Sequence, residues 1–348
     1  IKVFKANKII AFYFLILFIY YLALRLFSLG DPEAKGDYIL INIFPLLFFF
    51  FFSIANLCST KFNIVTSVNI VISVLILLFS FEIIIHILRH GIFTTRYGEP
   101  LIGISSTTYG ALFSGMLFFV YFNKRINKRL RFIAIIIFLI AILASQTRAA
   151  ILGVFITLLI FFLLERKWQD LFLFVIIIMI GVYFTINFVP SYIERIQMAQ
   201  EAYLAENYDL LTNGRYQLWL GVPDFMEDGG FKRWLFGNGY GGYREISFRY
   251  IEQGFSGYTH NRYLAELTDR GLFGLLVYLG MLFFLIRRTY INAYKRNIAI
   301  SKGVFYMLIS YAIQDMLGSR FWGISSFFPW LLISIEYIEA KHLNRAYG

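Results

Sequence analysis

The chain has 348 residues, of which 59% are hydrophobic, 20% aromatic and 15% charged, with a mean hydropathy of +0.67. That balance is too apolar for a soluble globule and predicts an all-α integral membrane protein that uses lipid as part of its solvent. The net charge of +11 does not point to nucleic acid, because the Lys and Arg residues sit in short connections between apolar runs rather than on a face interleaved with aromatics. Cys58 is the only cysteine, which excludes an intrachain disulfide and a cysteine-based metal site. Ile1 is not a plausible initiator, so the sequence is compatible with further spans ahead of it.

A hydrocarbon core about 30 Å thick needs about 20 apolar residues per helix. On that measure the sequence predicts ten spans, over 9–28, 38–58, 62–88, 101–122, 132–146, 149–164, 169–189, 263–286, 298–317 and 322–339. The chain then divides into transmembrane helices over 1–189, a large loop with short helices over 190–262, transmembrane helices over 263–340 and a tail over 341–348. Eighteen Lys and Arg residues, among them Lys124 to Arg131, Arg166, Lys167, Arg287 to Arg296 and Lys302, fall in connections on one side. The short connections opposite hold five, namely Lys35, Arg89, Arg96, Arg148 and Arg320. By the positive-inside rule both termini are expected in the cytoplasm and the long loop outside.

The apolar stretch 132–164 reads as two short helices rather than one, because basic clusters that belong inside flank it and only an even number of crossings returns the chain to the same face. Each arm spans only about 22 to 24 Å, so the turn carrying Arg148 dips below the outer surface. An arginine at that depth calls for a partner, a wet cavity or a snorkelling path. The small residues Ala144, Ser145, Ala149, Ala150 and Gly153 let neighbouring helices close around it.

In the long loop, Ile193, Ile196, Met198 and Ala202 recur at helical spacing. Thr212 or Asn213 is placed to cap a second helix through Arg215, Leu218 and Trp219 that ends near Pro223 or at Gly229-Gly230. The glycine-rich run Gly237 to Tyr243 lacks the preceding strand of a dinucleotide site. It reads either as a loop folded back over the membrane or, through Tyr240, Tyr243 and Tyr258, as flat faces for sugar rings.

Three residues on the outer side suggest one chemistry. Arg148 and Arg215 offer planar forks of donors suited to a pyrophosphate, and His260 offers a base near neutrality, followed by Asn261 at the start of an apolar helix. Together they describe transfer from a diphosphate-activated lipid to an alcohol. The alternatives are structural: an anchoring Arg148, an Arg215 paired with Glu206 or Asp209, and a His260 that only hydrogen-bonds a helix start.

The segments SQTRAAILG (Ser145 to Gly153), NGRYQLW (Asn213 to Trp219), FGNGYGGY (Phe236 to Tyr243) and HNRYLAELTDRGLFG (His260 to Gly274) occur in an order that resembles the bacterial O-antigen polymerase and O-antigen ligase family of polytopic, GT-C-like glycosyltransferases. The last segment matches the family's His-Asn, nine residues, Gly-x-x-Gly spacing through Gly271 and Gly274, and the resemblance covers roughly residues 100–340. It implies an inverting, metal-independent and cofactor-free transfer of glycan from undecaprenyl pyrophosphate at the outer face of the bacterial inner membrane. Catalysis would rest on His260, Arg215 and Arg148. Apart from the resemblance, the residues offer further substrate-contact candidates in Asn261, Tyr240 and Tyr243, with Arg89 and Arg96 as a minority reading for the acceptor glycan and Arg320, beside Trp322, as a secondary candidate that otherwise serves as a membrane-belt residue. The expected partners are the lipid-linked oligosaccharide, membrane lipid and a chain-length regulator. Leu275, where ligases often carry a small or hydroxylated residue, tilts the resemblance toward a polymerase.

Glu82, His86 and His90 share a helix face but lack further nearby ligands for zinc, so glycan contact is the better use for them. Asp315, an acid inside the ninth span, is expected to pair with Arg320 or Arg148. A lipid-oligosaccharide flippase is the competing class of function. It predicts broken or charged helices at mid-membrane in paired repeats, whereas the suspicious polar residues here lie toward one face.

Overall fold

The computed structural model describes residues 106–318 except Arg125, Gln146, Val189, Asn213, Tyr240 and 252–256, together with 332–338, Ala340 and the isolated positions Ser73, Leu77 and Ser80. The expected spans 9–28 and 38–58, nearly all of 62–88 and much of 322–339 lie outside the described residues, as do Glu82, His86, Arg89, His90, Arg96 and Arg320.

Helices and no strands are found among the described residues. The apolar runs fold as α1 (Ser106–Phe122), α2 (Lys128–Ala144), α3 (Arg148–Leu164) and α4 (Trp168–Phe188). The stretch 132–164 is thus two helices, as the charge pattern requires, with the break at Ser145 to Thr147. The chain continues through α5 (Pro190–Leu204), α6 (Tyr208–Thr212), α7 (Arg215–Asp228), α8 (Gly230–Phe236), α9 (Gly242–Ile246), α10 (Arg262–Tyr290) and α11 (Ala299–Gln314). A π-turn over Ile291–Lys295 joins the last two, and residues 332–338 are again helical.

Helix α1 lies among α2, α3 and α11, and its Phe113, Phe118 and Phe119 are fully buried with Phe138, Tyr306 and Tyr311. In lipid the burial of apolar surface adds little to association, and close backbone approach must replace it. Glycines supply that approach: a Cβ on Gly115 would enter the Tyr311 ring, and one on Gly303 would press on the Phe118 and Phe119 backbone at 3.0 to 3.3 Å. The outward face of α2 shows Phe132, Ile133, Ile136, Leu139, Ile140 and Leu143, an exposed apolar strip of the kind that marks a membrane contact.

One described helix, Arg262–Lys295, is long and apolar enough to cross a bilayer by itself, while Gly110–Phe122 and Arg148–Leu164 are shorter apolar helices. The expected span 263–286 falls within the Arg262–Lys295 helix but is kinked in its first third. At Gly271 the backbone leaves helical geometry (φ 69°, ψ −170°), and the turns before it bury Arg262, Glu266, Asp269 and Arg270. These four charged side chains are turned into protein, and the uninterrupted apolar run starts at Leu272.

The segment between α4 and α10 builds its own small core from Leu218, Val222, Phe225, Met226, Tyr243, Ile246 and Ile251. Leu264 and Leu267 of the first part of α10 pack against it. This cap explains why the loop is long: it needs enough apolar residues to bury a core outside the helical bundle.

Candidate functional site

Helix α7 starts where Thr212 and Asp209 meet its first amides: the Thr212 hydroxyl accepts from the N–H of Tyr216 at 2.9 Å and the Asp209 carboxylate from that of Gln217 at 2.9 Å. Thr212 therefore caps as expected, although the residue in the cap position is Gly214, with φ 76°. Pro223 lies inside the helix, and the chain leaves it at Gly229. The cap sets Arg215 at the first helical position, and its Nη1 donates to the carbonyl of Leu317 at 3.0 Å.

His260 stands just before α10, exposed and in the left-handed region at φ 48°. Such a conformation costs a non-glycine residue of order 1 to 3 kcal/mol and concentrates at functional positions. The segment is held on both sides. Trp219 donates its indole N–H to the Thr259 carbonyl at 2.6 Å, and the Gly257 N–H donates to the Ser247 hydroxyl at 3.0 Å. Tyr258 is half-exposed, with the guanidinium of Arg244 4.2 Å from its ring centroid and the His260 ring edge-on at 6.5 Å.

The C-terminal end of α11 ties these parts together. Besides receiving Arg215 at Leu317, it accepts the Arg262 N–H at the Asp315 carbonyl (2.7 Å) and the Tyr263 hydroxyl at the Ala312 carbonyl (2.8 Å). Helix α3 meets the same end, because a Cβ on Gly153 would lie 2.8 Å from Gln314 Cγ and 3.1 Å from the Ser310 carbonyl. Arg148 precedes Gly153 by five residues, about 7.5 Å along the axis, which carries it toward the level of Leu317. It is exposed, and the small Ala149, Ala150 and Gly153 beside it are buried as the packing argument expects. Arg215 and the start of α10 beside His260 thus meet the end of α11, and Arg148 begins the helix that packs alongside it.

Other expected contacts take different places. Asn261 caps α10, its Oδ1 accepting from the Leu264 N–H at 3.2 Å. Tyr243 offers no open ring: it is buried, and its hydroxyl donates to the Leu218 carbonyl at 2.6 Å. Burial pushes that hydroxyl above its ordinary range, with Asp224 and Tyr250 adding to the effect. The stacking face expected at Tyr243 is therefore corrected to a strut inside the cap core. Tyr240 lies outside the described residues. Asp315 is fully buried and accepts from the Tyr278 hydroxyl, a partner the sequence reading did not name.

The glycine-rich run closes the helix rather than a phosphate site. The amides of Asn238 and Gly239 donate to the carbonyls of Thr268 and Asp269, each at 2.9 Å, and the Gly241 N–H donates to the Asp269 carboxylate at 3.2 Å. Gly271 meets the Leu235 and Phe236 backbone so closely that a Cβ would collide, and Gly274 leaves room for the Arg270 side chain. Between them stands a charge cluster missing from the sequence reading: Glu266 is bonded to both Arg262 and Arg270, one turn to either side, with all three buried. The i, i+4 spacing of opposite charges was its visible signal.

A chain all-helical among the described residues, with an exposed apolar strip on α2 and one helix long and apolar enough to cross a bilayer, fits a membrane protein, with Arg215 and His260 in the cap and Arg148 at the start of α3. Residues 133–279 match the family model described as O-antigen ligase, which supports the O-antigen polymerase and ligase family that the motifs resemble. Members of that family are glycosyltransferase-like membrane enzymes of polysaccharide biosynthesis that act on lipid-linked oligosaccharides. No curated protein matches the chain.

Proposed function

We propose that the protein is a polysaccharide polymerase, of O-antigen or capsule type, that moves a glycan from undecaprenyl pyrophosphate to a sugar hydroxyl of a lipid-linked repeat unit at the outer face of the inner membrane. The reading draws on ten membrane crossings, an outward-facing cap and a chain-length regulator as partner. The observation that supports it is the shared anchorage of Arg215 and of the start of α10 beside His260 on the end of α11, alongside which α3, the helix that Arg148 opens, is packed.

In this reaction His260 takes the proton of the acceptor hydroxyl as its oxygen attacks the anomeric carbon from the face opposite the diphosphate. The bond from that carbon to the pyrophosphate oxygen breaks, and its electron pair leaves with the diphosphate. Charge builds on phosphate in the transition state, where fixed guanidiniums in a poorly hydrated pocket act most strongly. Arg148 and Arg215 supply them. Arg89, Arg96, Arg320 and the half-exposed Tyr258 are the acceptor-side candidates.

The test is purified protein supplied with lipid-linked repeat units, counting released undecaprenyl pyrophosphate and product length. His260→Ala is expected to abolish both with expression intact, and wild-type chain lengths from that variant would refute the assignment. Transfer to lipid A core instead of repeat units would make the protein a ligase. Transport with no diphosphate release would make it a flippase.

A further inference from the structure

At the opposite end of the α3–α11 pair from His260, the structure holds a cavity of about 940 Å³ between the last turn of α1, the first two turns of α2, the C-terminus of α3 and the N-terminus of α11. Its wall carries six cations, Lys124, Lys128, Arg129, Arg131, Lys167 and Lys302, against one carboxylate, Glu165. Glu165 is engaged by Lys302 at 2.8 Å. Setting that pair aside leaves five cations, Lys124, Lys128, Arg129, Arg131 and Lys167, and a formal charge of +5. The positive-inside tendency alone asks only for basic residues in a connection. It does not ask them to converge on a concave space.

Two features select the kind of anion. The first turn of α2 contains no acidic residue and opens instead with Lys128 and Arg129, so its side chains oppose the helix dipole rather than offset it. An anion seated among them relieves both repulsions. The second is the apolar part of the lining, which Tyr121, Phe132, Ile135 and Phe161 supply. Phe132 is 65% exposed and begins the outward apolar strip of α2 through Ile136, Leu139 and Leu143. A soluble phosphate has no use for that strip. A phosphate carrying acyl chains does.

We infer that this cavity is a binding site for the headgroup of an anionic phospholipid, its phosphate held by Lys128, Arg129 and Arg131 and its acyl chains laid along the exposed face of α2. Basic pockets between membrane helices suit such headgroups, and each Lys or Arg at an anionic surface contributes about fivefold in affinity. The site is separate from the glycan-transfer reading, because it lies at the other end of the helices and its occupancy is measured without any reaction.

The experiment uses the full chain in phosphatidylcholine nanodiscs doped with phosphatidylglycerol, with retained lipid counted by native mass spectrometry after release into detergent. Phosphatidylglycerol is expected to be retained in preference to phosphatidylcholine. The variant K128Q/R129Q/R131Q is expected to weaken this about 100-fold, whereas R287Q/K295Q/R296Q, which removes the same charge from residues that do not line the cavity, leaves it within a few-fold. Gln keeps helix propensity and removes charges unfavourable to the α2 start, so the first variant retains its fold; an unchanged melting temperature without anionic lipid checks this. Equal loss in both variants, no preference between the two lipids, or displacement by millimolar inorganic phosphate would each overturn the inference.

Discussion

Trp219 donates its indole N–H to the carbonyl of Thr259 at 2.6 Å, which fastens the helix carrying Arg215 to the residue before His260. Arg215 and His260 are 45 positions apart in sequence, yet this bond and the shared contact with the end of α11 keep them in one frame. Trp219→Phe keeps an aromatic ring at the position and deletes the donor together with part of the indole. A net hydrogen bond is worth about 1 kcal/mol, so kcat/KM for glycan transfer is expected to fall by about fivefold to tenfold while the melting temperature moves by only a few degrees. Unchanged kinetics in this variant would show that the tether does not position the histidine.

The glycines of the cap separate into two kinds. Gly271 and Gly241 both have positive φ, at 69° and 73°, but a Cβ on Gly271 meets the Leu235 and Phe236 backbone while one on Gly241 meets nothing. Gly271 also sits at ψ −170°, a region open essentially to glycine alone. Gly241→Ala should cost about 1 kcal/mol from strain, and Gly271→Ala several times more because α8 must shift. Thermal unfolding in detergent ranks the two. Similar losses would mean that α8 gives way freely at the kink.

Glu266 lies between Arg262 and Arg270 with its side chain 2% exposed. Removing one member of a buried ionic group leaves charge without compensation and typically costs about 3 to 5 kcal/mol. Glu266→Gln is therefore expected to unfold the first part of α10 well below the wild-type temperature. The triple variant R262M/E266L/R270M, which removes all three charges, should recover much of the loss. If the triple variant is no better than the single one, the cluster's value is hydrogen bonding rather than charge balance.

Much of the helical plan was legible because hydrophobic runs and basic turns repeat along the chain: the break at Ser145 to Thr147, the helix through Arg215 and the small residues beside Arg148 all follow from local pattern. The first part of α10 was not. Its apolar residues Leu264 and Leu267 continue the period of the true span, and only tertiary contact with the cap shows that they face Phe225 and its neighbours instead of lipid. The glycine-rich run failed for a related reason. Its amides close the carbonyls of Thr268 and Asp269, partners 30 residues away in both cases, and no local signal names them.

Tyr243 and Tyr258 divide the two uses of tyrosine that the sequence left open. Tyr243 is 1% exposed and bonded to the Leu218 carbonyl, while Tyr258 is 43% exposed beside His260. Tyr243→Phe removes one buried donor and is expected to lower stability by about 1 kcal/mol with KM for the lipid-linked acceptor unchanged. Tyr258→Ala removes an exposed face and the Arg244 contact, so stability should hold within about 0.5 kcal/mol. If sugar stacks on that ring, KM for the acceptor rises about fivefold to tenfold, consistent with aromatic contacts worth about 1 kcal/mol. A rise in KM for Tyr243→Phe, or none for Tyr258→Ala, would move the acceptor path away from the face that holds Tyr258 and His260.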